Sequence, residues 1–135
     1  MTKNIDLIKV YTKLLWIDKD LKAIDLFCNE QIKTLSQDGN YIGIDYLRDR
    51  TQNWFIGFPN MNTIFLNFNN VNEDTISCDW ETGSTHTGYF RSLPSTNKQI
   101  KYRGTSIYKI ANNKIIEYTL NLDIKNIINN LTPYK

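Results

Sequence analysis

The sequence is short of almost every residue type that announces a function. Its two cysteines, Cys28 and Cys78, belong to no CxxC pair and no ligand cluster, which argues against a disulfide framework and a zinc site. A reducing, cytoplasmic setting is expected for them. The single histidine, His86, cannot hold a metal alone, and nucleophile elbows, phosphate-binding loops, dinucleotide-binding glycine patterns and two-histidine metal helices do not occur. No metal and no cofactor are therefore expected. Neither sign of charge prevails: 16 basic against 14 acidic residues leave +2 and form no basic stripe, so nucleic acid is not an expected partner. Long apolar runs are missing too. The opening "MTKNIDLIKVYTKLLWIDKD" is broken by Lys3, Asp6, Lys9 and Lys13, unlike a signal peptide or a membrane span, so no membrane partner is expected.

What the chain does have is apolar and aromatic content, 41% and 13% of 135 residues, enough for one folded domain over 1–135. The first third reads as helical. Ile5, Ile8, Tyr11, Leu14, Leu15 and Trp16 form an apolar stripe, continued through Leu21, Ile24, Phe27 and Cys28. "IKTLSQDGN" carries β-type residues and ends on the turn signal Asp38-Gly39. Helical spacing resumes at Ile44, Leu47, Trp54, Phe55 and Phe58, and Pro59 stops it.

From Met61 the period changes to two. "NTIFLNFNN", "TISCDWETGSTHTGYF", "KQIKYRGTSIYKI" and "IIEYTLNLD" read as strands, with turns at Glu73-Asp74 and "ANNK" and a short closing helix in "IKNIINNL". Helices followed by an antiparallel meander indicate an α+β domain, with helices covering one sheet face and a cavity beneath them.

The segment "CDWETGSTHTGYF" concentrates polar side chains on a strand. By alternation Cys78, Trp80, Ser84 and His86 share one face, and Asp79, Glu81 and Thr85 take the other; a bulge at Gly83 would exchange them. Trp80 is then the wall of a pocket if its face is concave, or an interface anchor if it is convex. Tyr102 and Tyr108 alternate with basic residues and suit either a pocket or a dimer interface. Trp54 and Phe58 are at core spacing and are counted with the ligand-facing candidates.

"GSTHTGYFRSLPSTNKQIKYRG" followed by "NNKIIEYTLNLD" resembles the SnoaL-like polyketide cyclase or ester cyclase family of the nuclear transport factor two-like superfamily. The family pattern Gly-Thr-His-x-Gly is matched by Ser84-Thr85-His86-Thr87-Gly88. Its Pro-Pro-Thr-Gly turn is matched by Pro94-Ser95-Thr96-Asn97, and its Gly-Lys-Ile-x-Glu segment by Asn113 to Glu117 with Asp123 beyond. "GIDYLRDRTQNWFIGFPN" also looks like the family's helix before Phe-Pro-Asp. Three places depart from the pattern: Ser95 and Asn97 replace a proline and a glycine, Thr119 stands for a common tryptophan, and "QIKTLSQDGN" lacks an expected histidine.

The resemblance implies a cone-shaped α+β barrel, about three helices against a strongly bent sheet, and a homodimer. It also implies cofactor-free acid/base chemistry of the aldol-cyclase type on a small apolar or aromatic carbonyl compound. Asp123 matches the family's general acid/base and His86 its cavity-lining histidine. Strand parity places Glu117, Thr119, Asn121 and Asp123 on one face, and Thr119 joins Trp80, Tyr102, Tyr108, Trp54 and Phe58 as a substrate-binding candidate. The alternative is a non-catalytic ligand-binding or dimerisation module of the same fold.

Overall fold

Hydrophobic periodicity and turn chemistry together account for the order of elements. The computed structural model describes residues 2–132. Helix α1 (Thr2–Thr12) buries Ile8 and Tyr11, and the buried hydroxyl of Thr12 is satisfied by the Ile8 carbonyl at 2.9 Å. The chain then widens into a π-helical turn, Lys13–Ile17, which carries Trp16. Helix α2 is short (Lys22–Phe27), and strand β1 begins at Cys28, where the sequence pattern had continued the helix. β1 (Cys28–Ser36) folds back through Gln37-Asp38 onto β2 (Gly39–Ile42). Helix α3 (Ile44–Gly57) ends before Pro59, as expected.

Strands β3 (Asn62–Asn72), β4 (Thr75–Thr85), β5 (Gln99–Ala111) and β6 (Lys114–Asn121) form the antiparallel meander. The β5–β6 turn places Asn112 and Asn113 at φ of 52° and 62°, a left-handed conformation that asparagine tolerates and a tight hairpin requires. The six strands run in the order β2-β1-β6-β5-β4-β3 in one open sheet, with β1 parallel to β6 and every other pair antiparallel. The fold is thus mixed α+β, and its sheet does not close into a barrel. β4 ends at Thr85, so residues 86–98 form a loop where a longer strand was expected.

Two apolar clusters fill the space between helices and sheet. One joins α1 and α2 to Ile32, Ile76, Cys78, Tyr108, Ile115 and Tyr118. The other joins Trp54 of α3 and Phe58 just after it to Phe90 and to helix α4 (Ile124–Leu131). α4 buries Ile124, Ile127 and Leu131, each worth about 1.5–3 kcal/mol when removed from water, which holds this short helix on the sheet. Among the described residues no helix is long and apolar enough to cross a membrane.

Candidate functional site

Alternation along β4 sends Cys78, Trp80, Thr82 and Ser84 inward, all buried. Pairing with β5 runs without a break from Thr75–Lys109 to Thr85–Gln99, so the bulge allowed at Gly83 is absent. Trp80 therefore faces the interior. Its indole N–H donates to the Ser106 hydroxyl at 3.0 Å, and the ring lies over Gly104, where an added Cβ would stand 2.6 Å from Cζ2. Only a residue without a side chain lets the indole settle there.

Trp80 is one wall of an aromatic cavity. Trp16 from the π-helical turn and Trp54 from α3 supply further walls, so all three tryptophans of the chain meet here. Met61, Phe65, Tyr102, Tyr118, Leu120 and Leu122 complete the apolar lining. The Tyr102 hydroxyl is buried beside the Ser84 hydroxyl, and burial pushes its ionisation well above the usual tyrosine range, against the smaller opposing effect of Ser84. It stays a neutral donor.

A second compartment shares Trp16, Trp54, Tyr118 and Leu120 with the first. Its remaining walls are more polar and include Thr34, Asp38, Arg50 and Arg91. Arg91 donates to Asp38 through both terminal nitrogens, Nη1 to Oδ1 at 2.8 Å and Nη2 to Oδ2 at 2.6 Å. That hydrogen bonding holds the Asp38 carboxyl below its ordinary pKa, against the opposing effect of burial. The polar compartment was not anticipated: Asp38 read as a turn residue. The pairing of Asp38 with Arg91 links loops distant in sequence, and no local spacing signals it.

The residues singled out from sequence fall into three groups. Trp80, Tyr102 and Trp54 line the aromatic cavity. Phe58 and Tyr108 are buried beside it: Phe58 packs on Phe90 at 5.1 Å between ring centres, and Tyr108 stacks on Tyr118 at 5.2 Å. Thr119 is on the opposite face of β6, because Tyr118, Leu120 and Leu122 are the residues of that segment that reach the cavity. The alternation expected for β6 holds, but the face that reaches the cavity is the one opposite Thr119.

His86 and Asp123 line neither compartment. His86 is fully buried in the loop after β4, with Nδ1 2.9 Å from the Thr96 hydroxyl. Its backbone N–H donates to the Lys98 carbonyl, and its own carbonyl accepts from Asn97 N–H. Burial lowers its pKa, so the ring is neutral. Gly88 belongs to the same fitting: a Cβ there would stand 1.8 Å from the Ile56 carbonyl oxygen, and its N–H donates to Gly57 at 3.1 Å. In this geometry the Ser-Thr-His-Thr-Gly segment docks a loop against the end of α3. Asp123, expected on a strand, follows β6 and caps α4; its exposed carboxylate accepts from Asn126 N–H at 3.1 Å and from the Gln37 side chain at 3.3 Å. Leu122 before it and Ile124 after it line the aromatic and polar compartments respectively.

Solved structures repeat this architecture. A proposed SnoaL-like polyketide cyclase from Jannaschia sp. CCS1 superposes with a TM-score of 0.89 at 14% identity, over 99% of this chain and 94% of that one. AclR, a proposed hydroxylase from Streptomyces galilaeus, gives 0.83 at 17% identity, over 97% and 96%. An NTF2-like protein of unknown function from Burkholderia pseudomallei K96243 gives 0.79 at 11% identity, over 98% and 99%. At such identities the likeness concerns the fold. The chain matches none of the curated proteins. The family model described as SnoaL-like polyketide cyclase matches residues 6–130, and the chain belongs to that family.

Proposed function

We propose that this chain binds a flat, mainly apolar, carbonyl-bearing small molecule in the aromatic cavity. The observation that carries the reading is the convergence of Trp16, Trp54 and Trp80 on one space, with the Trp80 N–H already satisfied by Ser106. Three tryptophan rings then offer a large apolar contact area. Tyr102 supplies the polar element. Its buried hydroxyl has only the Ser84 hydroxyl beside it and suits a carbonyl oxygen as acceptor.

Cofactor-free acid/base catalysis is the second reading, supported by the family and by the position of Asp123 between two cavity-lining residues. It requires the carboxylate to leave its capping role and turn inward to take a proton from carbon. The homodimer belongs to both readings: Ile64, Leu66 and Val71 expose apolar side chains on the edge strand β3.

One titration tests binding. Adding 2-acetylnaphthalene should quench tryptophan fluorescence saturably, and Tyr102→Phe should weaken this ligand several-fold, on the order of one hydrogen bond, without changing affinity for naphthalene. A linear, unsaturable response would overturn the proposal. In the same samples, deuterium exchange at the ligand's acidic methyl carbon that vanishes in Asp123→Asn marks the chain as an enzyme. Exchange at the buffer rate in both proteins leaves a binding module.

A further inference from the structure

We infer that the polar compartment is a subsite for a carboxylate carried by the ligand, so that the molecule bound is an amphipathic monoanion. This rests on the aromatic cavity holding the ligand's apolar body. The two compartments adjoin, sharing four side chains, and the proposed ligand spans both.

The charge balance sets the sign. Arg50, Arg91 and Asp38 line the compartment, and no other charged residue does so among the described residues, which leaves one positive charge in excess. Asp38 is occupied by the two terminal nitrogens of Arg91. A ligand carboxylate would neutralise the remainder, whereas a phosphate dianion would overshoot it.

The unused donors set the geometry. Arg91 Nε is buried without a partner, and so is the hydroxyl of Thr34, a residue only 5% exposed. Arg50 donates from Nε to the Tyr46 hydroxyl at 3.2 Å and lies over the Tyr46 ring at 5.4 Å; its terminal nitrogens make no hydrogen bond among the described residues. Buried donors left unmade are costly, and a carboxylate, which only accepts, is the complementary group.

The backbone at Arg91 points the same way. Phe90 and Leu93 exchange two backbone hydrogen bonds around Arg91 and Ser92, which take φ of 48° and 70°. That left-handed pair is normally built from glycine or asparagine, and here it holds a guanidinium at the compartment wall.

The test compares 2-naphthoate with methyl 2-naphthoate by tryptophan fluorescence, since Trp16 and Trp54 line both compartments. The full chain should bind the carboxylate about tenfold tighter than the ester, as a charge-assisted pair warrants. Arg50→Gln should cut that preference to about twofold while ester affinity changes far less, a thermal melt confirming that the variant is folded. Equal affinity for the two probes overturns the subsite and leaves the aromatic cavity standing. A preference that survives both Arg50→Gln and Thr34→Val also overturns it, because the anion then sits elsewhere. Failure of both probes to bind removes this inference together with the binding reading beneath it.

Discussion

Asp38 and Arg91 tie two turns of the chain together through a pair of short, parallel hydrogen bonds. Asp38 belongs to the β1–β2 turn and Arg91 to the tight turn between Phe90 and Leu93. Their side chains are 21% and 15% exposed, too buried for solvent to replace one partner freely. Arg91→Met should therefore destabilise the fold by about 1–3 kcal/mol, because it strands a partly buried carboxylate. Asp38→Asn alone should also cost stability. The double variant should lose clearly less than the sum of the two, and urea unfolding of all four proteins measures the difference. Additive losses would show that the two groups do not stabilise each other.

Acid should unfold the protein through two separable windows. Burial lowers the pKa of His86 in the folded state, so the unfolded chain takes up the proton more readily. Stability is complete above the unfolded value of about 6.5 and falls as pH drops from there towards the folded pKa. Asp38, depressed by Arg91, adds stability that is complete above about 3.9 and is lost as pH falls through its lower folded value. Asp79, held down by hydrogen bonds from Asn67 and Thr105 on the surface, shares that second window. His86→Gln should flatten the upper part of a stability-versus-pH curve and Asp38→Asn the lower part. An unchanged slope between pH 6.5 and 5 in His86→Gln would contradict the neutral, buried assignment.

The fold was legible because periodicity reports burial directly. Alternation through Cys78, Trp80 and Ser84 placed one face of β4 correctly, and Asn112-Asn113 marked the β5–β6 hairpin. β6 was harder. Its inward residues Tyr118, Leu120 and Leu122 and the outward Thr119 lie among partly buried neighbours, and carrying the parity through to Asp123 assumed a strand that stops at Asn121. Cys28 joined the helical stripe because a short helix passing directly into a strand leaves no break in apolar spacing. The polar compartment was not readable at all. It depends on Arg91 meeting Asp38 across the fold, and tertiary approach of that kind has no period.

Gly104 offers a direct probe of the cavity without touching any side chain in it. An alanine Cβ there would stand 2.6 Å from Trp80 Cζ2 and 2.7 Å from the Asn121 carbonyl oxygen, both below van der Waals contact. The carbonyl belongs to a paired strand, so the indole is the part that must yield. Displacing it strains or breaks the bond from the indole N–H to Ser106 and pushes the ring into the space lined by Trp16 and Trp54. Gly104→Ala should therefore cost about 1–3 kcal/mol from overpacking and shift tryptophan emission. It should also weaken 2-acetylnaphthalene far more than Gly83→Ala, where an added Cβ would meet nothing nearer than 3.8 Å. Equal affinity in the two variants would show that the ligand does not use the space beside Trp80.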